Sequence, residues 1–271
     1  MPTEAGRSSG WSAGGYLREV QYANPSNLNA RAAIYAYQQP HVDWYDWVLD
    51  LVSLTGGETI LDVGCGPGAY LAALRRRGHR GLAVGLDFSA GMLAAARSAS
   101  GPGPLHPVVQ SDAAALAVAS AGVDVAMAMH MLYHVPDPRL ALAELRRVTR
   151  AGGTTLIVLN APGHCEELRS LMHSASAAVG TPRSVPELLD LPAGMVLARE
   201  FFTDVRPHEV RAQLVVPEPA PVLAYVGSMI SVIGAPDGDA LLAEAERIVS
   251  ETIAAEGAFR VHTASGCLVC R

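Results

Sequence analysis

Ile60-Leu61-Asp62-Val63-Gly64-Cys65-Gly66-Pro67-Gly68 is the stretch on which the reading of this chain turns. Apolar, β-favouring residues and one acid lead straight into alternating glycines. That is the pattern of a buried parallel strand that ends in a tight turn and feeds a helix. Gly64, Gly66 and Gly68 permit backbone angles closed to other residues and let the main chain approach a ligand with no Cβ in the way. Ala69-Tyr70-Leu71-Ala72-Ala73-Leu74 then reads as a helix whose N-terminal amides face that ligand. The expectation is a nucleotide-like cofactor at the turn.

A glycine turn alone is weak evidence, since dinucleotide-binding proteins also carry one. The following elements narrow it. Leu82-Ala83-Val84-Gly85-Leu86-Asp87 is a second apolar run that ends in an acid, where a carboxylate can hold the two hydroxyls of a ribose. Phe88-Ser89-Ala90-Gly91-Met92-Leu93 opens another helix with Ser89 as N-cap, and Phe88 and Met92 are expected to sandwich a purine ring. A third strand through Val108-Val109-Gln110 ends in Ser111-Asp112-Ala113, with Asp112 a candidate acceptor for an exocyclic amine. A fourth, Val123 to Met129, runs into His130-Met131-Leu132-Tyr133-His134-Val135-Pro136-Asp137.

Over residues 58–160 the chain resembles the class I S-adenosylmethionine-dependent methyltransferases. Asp62 to Gly68 looks like their first motif, Leu86 to Ser89 their second, Ser111 to Ala113 their third, and Met129 to Asp137 their segment after strand four. The remainder is similar, more loosely, to tailoring methyltransferases of small-molecule and antibiotic pathways. The resemblance implies S-adenosylmethionine as cofactor and S-adenosylhomocysteine as product. It implies cofactor contacts from Gly64, Gly66, Gly68, Asp87, Phe88, Met92, Asp112, Ala113 and Met129. Met129 stands where the family often has Asn or Ser, which leaves backbone contacts there. Asp62 is expected to order the glycine turn rather than touch ligand.

The implied fold is a Rossmann-like, doubly wound α/β sheet of seven mostly parallel strands, with an N-terminal lid and an inserted helical cap. Residues 1–45 read as the lid, and 46–271 as the methyltransferase domain with cap insertions at about 161–196 and 214–237. Residues 1–15, rich in Gly, Ser and Ala, are expected to fray. In the lid, Arg31 can pair with the methionyl carboxylate, and Tyr16 or Tyr22 can hydrogen-bond to it; the alternative is a solvated arginine and packed tyrosines. Asp137-Pro138 marks a helix start, with the helix ending at Arg150 and stopped by Gly152-Gly153 before a fifth strand over Thr154 to Asn160. Short helical character is expected over Pro186 to Leu191, helices over Val222 to Ile233 and Leu241 to Ala255, and a last strand over Ala258 to Cys270.

Methyl transfer from a sulfonium is an in-line displacement, for which alignment and exclusion of water are the main requirements. A poorly acidic hydroxyl or a protonated amine also needs a base. His130 and His134 leave the tip of strand four beside the methyl group, and either can take a proton near neutral pH; Tyr133 can orient the acceptor. The alternative for His134 is a ring packed under the loop.

Composition bounds the partners. The chain has 271 residues, half of them hydrophobic, and a net charge of -6, which disfavours a nucleic-acid substrate. All twenty basic residues are arginines, which removes Walker-type phosphate binding and Schiff-base chemistry. No apolar stretch is long enough to span a membrane, and no signal-peptide pattern stands at the N-terminus, so the expected location is cytoplasmic. Cys267 and Cys270 have CxxC spacing, but three residues apart on a strand they point to opposite faces, and no metal site is expected. The partner is expected to be a small, partly hydrophobic substrate methylated at O or N, in secondary metabolism; a homodimer is left open. Two alternatives stand beside this reading: a methyltransferase-fold cyclase that does not methylate, and a NAD-dependent oxidoreductase. The oxidoreductase fingerprint puts a third glycine where Ala69 stands.

Overall fold

The computed structural model of the protein describes residues 21–99 and 106–271; Tyr16 and the N-terminal stretch expected to fray lie outside them. The strands are β1 (Gln38–Gln39), β2 (Ile60–Val63), β3 (Ala83–Asp87), β4 (Val108–Gln110), β5 (Val123–Met129), β6 (Thr149–Asn160), β7 (Val205–Val216) and β8 (Phe259–Cys270). They form one sheet in the order β1-β7-β8-β6-β5-β2-β3-β4. β2 pairs parallel with both β3 and β5, β3 with β4, and β5 with β6. β8 is antiparallel to β6 and β7, and β1 to β7. The chain therefore winds outward from β2 to β4, then returns to start β5 on the other side of β2. That reversal opens a crevice beyond the C-terminal ends of β2 and β5, where such sheets bind ligands. The sheet among the described residues has eight strands rather than the expected seven. The additional one, β1, is a two-residue ladder of glutamines on Leu214 and Gln213, too short and polar to carry a period-two signal.

The helices are α1 (Ser26–Ala33), α2 (Trp44–Leu49), α3 (Ala69–Arg76), α4 (Ala90–Ala99), α5 (Pro138–Val148), α6 (Glu166–Ala178), α7 (Leu191–Ala198), α8 (Pro219–Ile233) and α9 (Gly238–Glu256). α5 and α7 cover one face of the sheet, where Leu142, Leu145, Ala198, Leu268 and Cys270 pack together. α2 and α3 cover the other, with Val48, Leu74, Met127, Cys267 and Val269. Cys267 and Cys270 thus enter different cores, as the strand period requires, and among the described residues no side-chain cluster suits a metal ion. A third core joins α6, α8 and α9 to β7 and β8 through Leu168, Val226, Val249 and Val261, and Ile34 of the N-terminal segment is buried in it. Among the described residues no helix is long and apolar enough to cross a membrane.

Two local expectations differ from the structure. The helix after Asp137 ends at Val148, and Thr149 already pairs with Val123 in the sheet. Gly152 and Gly153 sit where the β5–β6 register shifts, and Gly152 has φ +73°; a Cβ on Gly153 would lie 2.7 Å from the Asp124 carbonyl oxygen. These glycines serve an irregularity within a strand rather than a helix stop. The short helix expected over Pro186–Leu191 instead spans Leu191–Ala198, because the Asp190 carboxylate accepts from Ala193 N and fixes the N-terminus there.

Gly85, in the middle of β3, shows how tightly the sheet is pressed beneath the glycine turn. A Cβ there would lie 2.7 Å from Cys65 Sγ and 2.9 Å from Leu71 Cδ1. Gly85→Ala is expected to destabilise the fold by ~1–3 kcal/mol, the usual cost of overpacking, read as a lowered urea midpoint.

Candidate active site

The glycine turn leaves β2 with positive φ at Gly64 (+72°), Gly66 (+54°) and Gly68 (+84°), angles that L side chains adopt at a cost. The Asp87 carboxylate fastens it. Asp87 Oδ2 accepts from Gly66 N at 2.9 Å, and Oδ1 accepts from Ser89 N at 2.8 Å. Each oxygen keeps lone-pair capacity after those bonds. Burial raises the Asp87 carboxyl above its ordinary value, and backbone N–H groups of Ser89, Gly66 and Phe88 oppose that rise. The expectation that Asp62 orders the turn is corrected here: neither of its buried carboxylate oxygens makes a hydrogen bond. Burial, then the neighbouring Asp87, pushes Asp62 up to about 7.

From Asp87 the residues expected to meet a purine fan outward. Ser111 N donates to Asp87 O at 3.0 Å, and exposed Asp112 closes an Asx turn by accepting from Ala114 N at 2.8 Å. Ala113 and Phe88 are half-buried, and Gln110 Nε2 donates to the Phe88 carbonyl. Met92, in α4, is 2% exposed. Met129 is likewise buried at the end of β5.

The N-terminal segment closes over this turn. Ser89 Oγ donates to the Tyr22 carbonyl at 2.7 Å, and Leu28 of α1 comes 3.8 Å from where a Cβ on Gly66 would be. A Cβ on Gly91 would stand 1.8 Å from the Ala23 carbonyl oxygen, so only glycine admits the N-terminal segment's backbone there. Arg31 lies one turn along α1 from Leu28. Its guanidinium meets neutral groups: the Gln21 side-chain oxygen, in the amide orientation that satisfies both partners, Met229 Sδ at 3.9 Å, and the Tyr22 ring. Among the described residues no carboxylate pairs with it.

The residues after β5 form the far wall. His130 has φ +54°, uncommon for a residue with a side chain, and its ring lies 5.9 Å from that of Trp44. His134 Nε2 and Tyr22 Oη are 2.8 Å apart, which ties this segment to the N-terminal one. Tyr133 packs edge-on against His134, 4.6 Å between ring centroids. Burial lowers His130 and His134 to about 3, helped at His134 by Arg31, so both imidazoles are neutral at pH 7. The structure also brings in residues to which the sequence reading gave no role: Tyr35, His164, Tyr225 and Ser265. His164 follows Pro162-Gly163, and the left-handed Gly163 and Cys165 on either side mark a tight loop that the Pro-Gly pair could have signalled.

Residues 61–157, from β2 through most of β6, match the family described as "Methyltransferase domain". The chain contains a class I methyltransferase domain. Such domains use S-adenosylmethionine. Malonyl-[acyl-carrier protein] O-methyltransferase of Serratia marcescens is 36% identical over 121 residues, 45% of this chain and 46% of the relative. The chain spans about half or less of the length of the curated relatives it matches. In fold, it is similar to a SAM-dependent methyltransferase of Thermotoga maritima, at 13% identity with a TM-score of 0.56, covering 94% of this chain and 99% of the other. It is also similar to the [4+2]-cyclase SpnF, at 17% identity with a TM-score of 0.51, covering 84% and 80%. The class I domain's cofactor suits the residues present: the unpartnered Asp62 carboxylate complements an α-ammonium, Arg31 a carboxylate, and the open lone pairs of Asp87 a ribose diol.

Two outcomes follow from this geometry. Asp62 has a folded value near 7 against an unfolded value of about 3.9, so the folded state binds the extra proton. The stability it contributes is full below about pH 4 and is lost as pH rises through about 7. Relative to Asp62→Asn, the ligand-free wild type should lose unfolding free energy across that window; parallel pH profiles would contradict the assignment. Gly91→Ala should displace the N-terminal segment, raising amide exchange over residues 21–33 about tenfold, as a local loss of ~1.4 kcal/mol would, while β2 and β5 exchange as before.

Proposed function

We propose that the chain transfers the methyl group of S-adenosylmethionine to an oxygen or nitrogen atom of a small, partly apolar molecule, of the kind modified in secondary metabolism. The observation that carries this is the Asp87 bridge between glycine turn and α4, set beside an unpartnered Asp62 under a closing lid. S-adenosylmethionine, when bound, supplies an electrophilic methyl on a sulfonium sulfur and leaves as S-adenosylhomocysteine. In this reading Asp87 holds the ribose hydroxyls, Asp112 receives the adenine amine, and Phe88 covers the ring. Asp62 and Arg31 take the ammonium and carboxylate of the methionyl end. The lid, residues 21–45 of the described chain, and the cap segments 161–196 and 214–237 exclude water from the acceptor.

His134 is engaged with Tyr22, which supports a role in lid closure. His130 makes no hydrogen bond through its ring among the described residues, and its strained backbone supports it as the acceptor-facing histidine. As a neutral imidazole of low basicity, it suits an acceptor whose proton is already acidic. The fold likeness to a cyclase keeps a second reading, separated by product mass: a gain of one methylene unit means transfer.

Calorimetry with S-adenosylmethionine and S-adenosylhomocysteine, with NAD as control, tests the cofactor. Both sulfur compounds should bind and NAD should not. Asp87→Ala should weaken binding at least tenfold, since a hydrogen bond to a charged group is worth about 1.5–3 kcal/mol. Binding of NAD, or of neither sulfur compound, would overturn the proposal.

A further inference from the structure

A hydrogen-bond chain links the last strand, the loop after β6 and the N-terminal segment. Ala264 N donates to His164 Nδ1 at 3.2 Å, and a backbone N–H can only donate, so Nδ1 carries no proton. The neutral ring therefore carries its proton on Nε2, which lies 3.1 Å from Tyr35 Oη. Ser265 Oγ, 3.3 Å from Nδ1, spends its only hydrogen on Asn160 Oδ1 at 3.1 Å and leaves this assignment intact. Burial lowers His164 to about 4, in keeping with the neutral form. The phenol oxygen of Tyr35 thus accepts from His164 and its own hydrogen remains to be given. The nearest acceptor for it is Cys165 Sγ at 4.0 Å, a weak acceptor at a long distance.

Tyr35 is fixed in place on both sides. It follows Ile34, which is fully buried in the core under the cap, and it precedes Tyr37, whose hydroxyl donates to Glu218 at the start of α8 at 2.7 Å. Its surroundings include Tyr133 after β5 and Tyr225 of α8. Among the described residues, the charged side chains acting on Tyr133 and Tyr225 are Arg31 and Arg169; Arg169 pairs with Glu166 at 3.4 Å, and Glu167 acts on Cys165. An ammonium needs acceptors and a negative field. This wall offers the Tyr35 hydroxyl as a donor.

We propose that Tyr35 is an acceptor-binding residue, positioned by His164, and that the methyl acceptor is an oxygen acid, a carboxylic acid or a phenol, bound as its anion with Tyr35 Oη–H donating to it. The proposal rests on the methyltransferase reading above and narrows its acceptor from oxygen or nitrogen to anionic oxygen. A carboxylic acid has already lost its proton to solvent at neutral pH; a phenol, with an ordinary pKa of about 10, gives its proton to solvent as it binds. A lone pair of the oxyanion then forms the O–CH3 bond as the S–CH3 bond breaks; that bond's electron pair goes to sulfur and cancels the sulfonium charge. The product is a methyl ester or a methyl aryl ether. A donor on the oxyanion leaves another lone pair free for the attack.

The test uses the full chain saturated with S-adenosylhomocysteine and titrated calorimetrically with octanoate, 4-propylphenol and octylamine. At least one oxygen acid should bind, the two arms telling carboxylate from phenol, and octylamine should not. Tyr35→Phe and His164→Leu should each weaken that binding about tenfold or more, the range for a hydrogen bond to a charged group, with S-adenosylhomocysteine affinity unchanged. His164→Gln, whose amide can still donate to Tyr35, should restore most of the loss, which a merely structural role would not predict. Preferred binding of octylamine, absence of binding by both oxygen acids, or an unaltered Tyr35→Phe variant would overturn the proposal. Failure of the wild type to bind S-adenosylhomocysteine would instead overturn the methyltransferase reading.

Discussion

The Asp87 carboxylate organises the rest of the site. By accepting from Gly66 N and Ser89 N it locks the turn after β2 to the start of α4. Ser89 then passes the constraint outward, since its hydroxyl donates to the Tyr22 carbonyl of the lid. Tyr22 in turn meets His134 after β5. One buried carboxylate thereby connects the sheet, the first two crossover helices, the lid and the far wall. Two charge-assisted bonds to backbone N–H groups are what make it affordable to keep a carboxylate there.

Burial sets the electrostatics. Asp62 is held up near 7 with no hydrogen-bond partner, while His130, His134 and His164 are held neutral. Positive charge in that region comes from arginines. Arg31 in particular contacts an amide, a thioether and an aromatic face, none of which neutralises it. Such a crevice matches a ligand that carries an ammonium at one point and anionic groups at others.

Much of the fold was legible because its signals are local. The apolar run of β2, its exit into glycines and the acid ending β3 lie within short windows, and strand period alone sent Cys267 and Cys270 to opposite cores. The misses were local ambiguities that tertiary pairing resolved. Gly152-Gly153 reads as a helix stop, yet the β5 neighbour draws Thr149 into the sheet and leaves the glycines at a register shift. Asp62 reads as the turn's anchor because it is adjacent, while the anchor is Asp87, reached through parallel pairing of β2 and β3.

The sequence by itself determined the strand–turn–helix order, the glycines that must take positive φ, and the acids at the strand ends. These depend on period, backbone sterics and spacing along the chain. Only the tertiary structure decided which carboxylate is bonded and which is bare, why Gly91 must lack a side chain, and that Tyr35, His164 and Ala264 form one chain of donors. Those contacts join residues far apart in sequence, and no local periodicity records them. They exist because the lid, the loop after β6 and the last strand are brought together when the core closes.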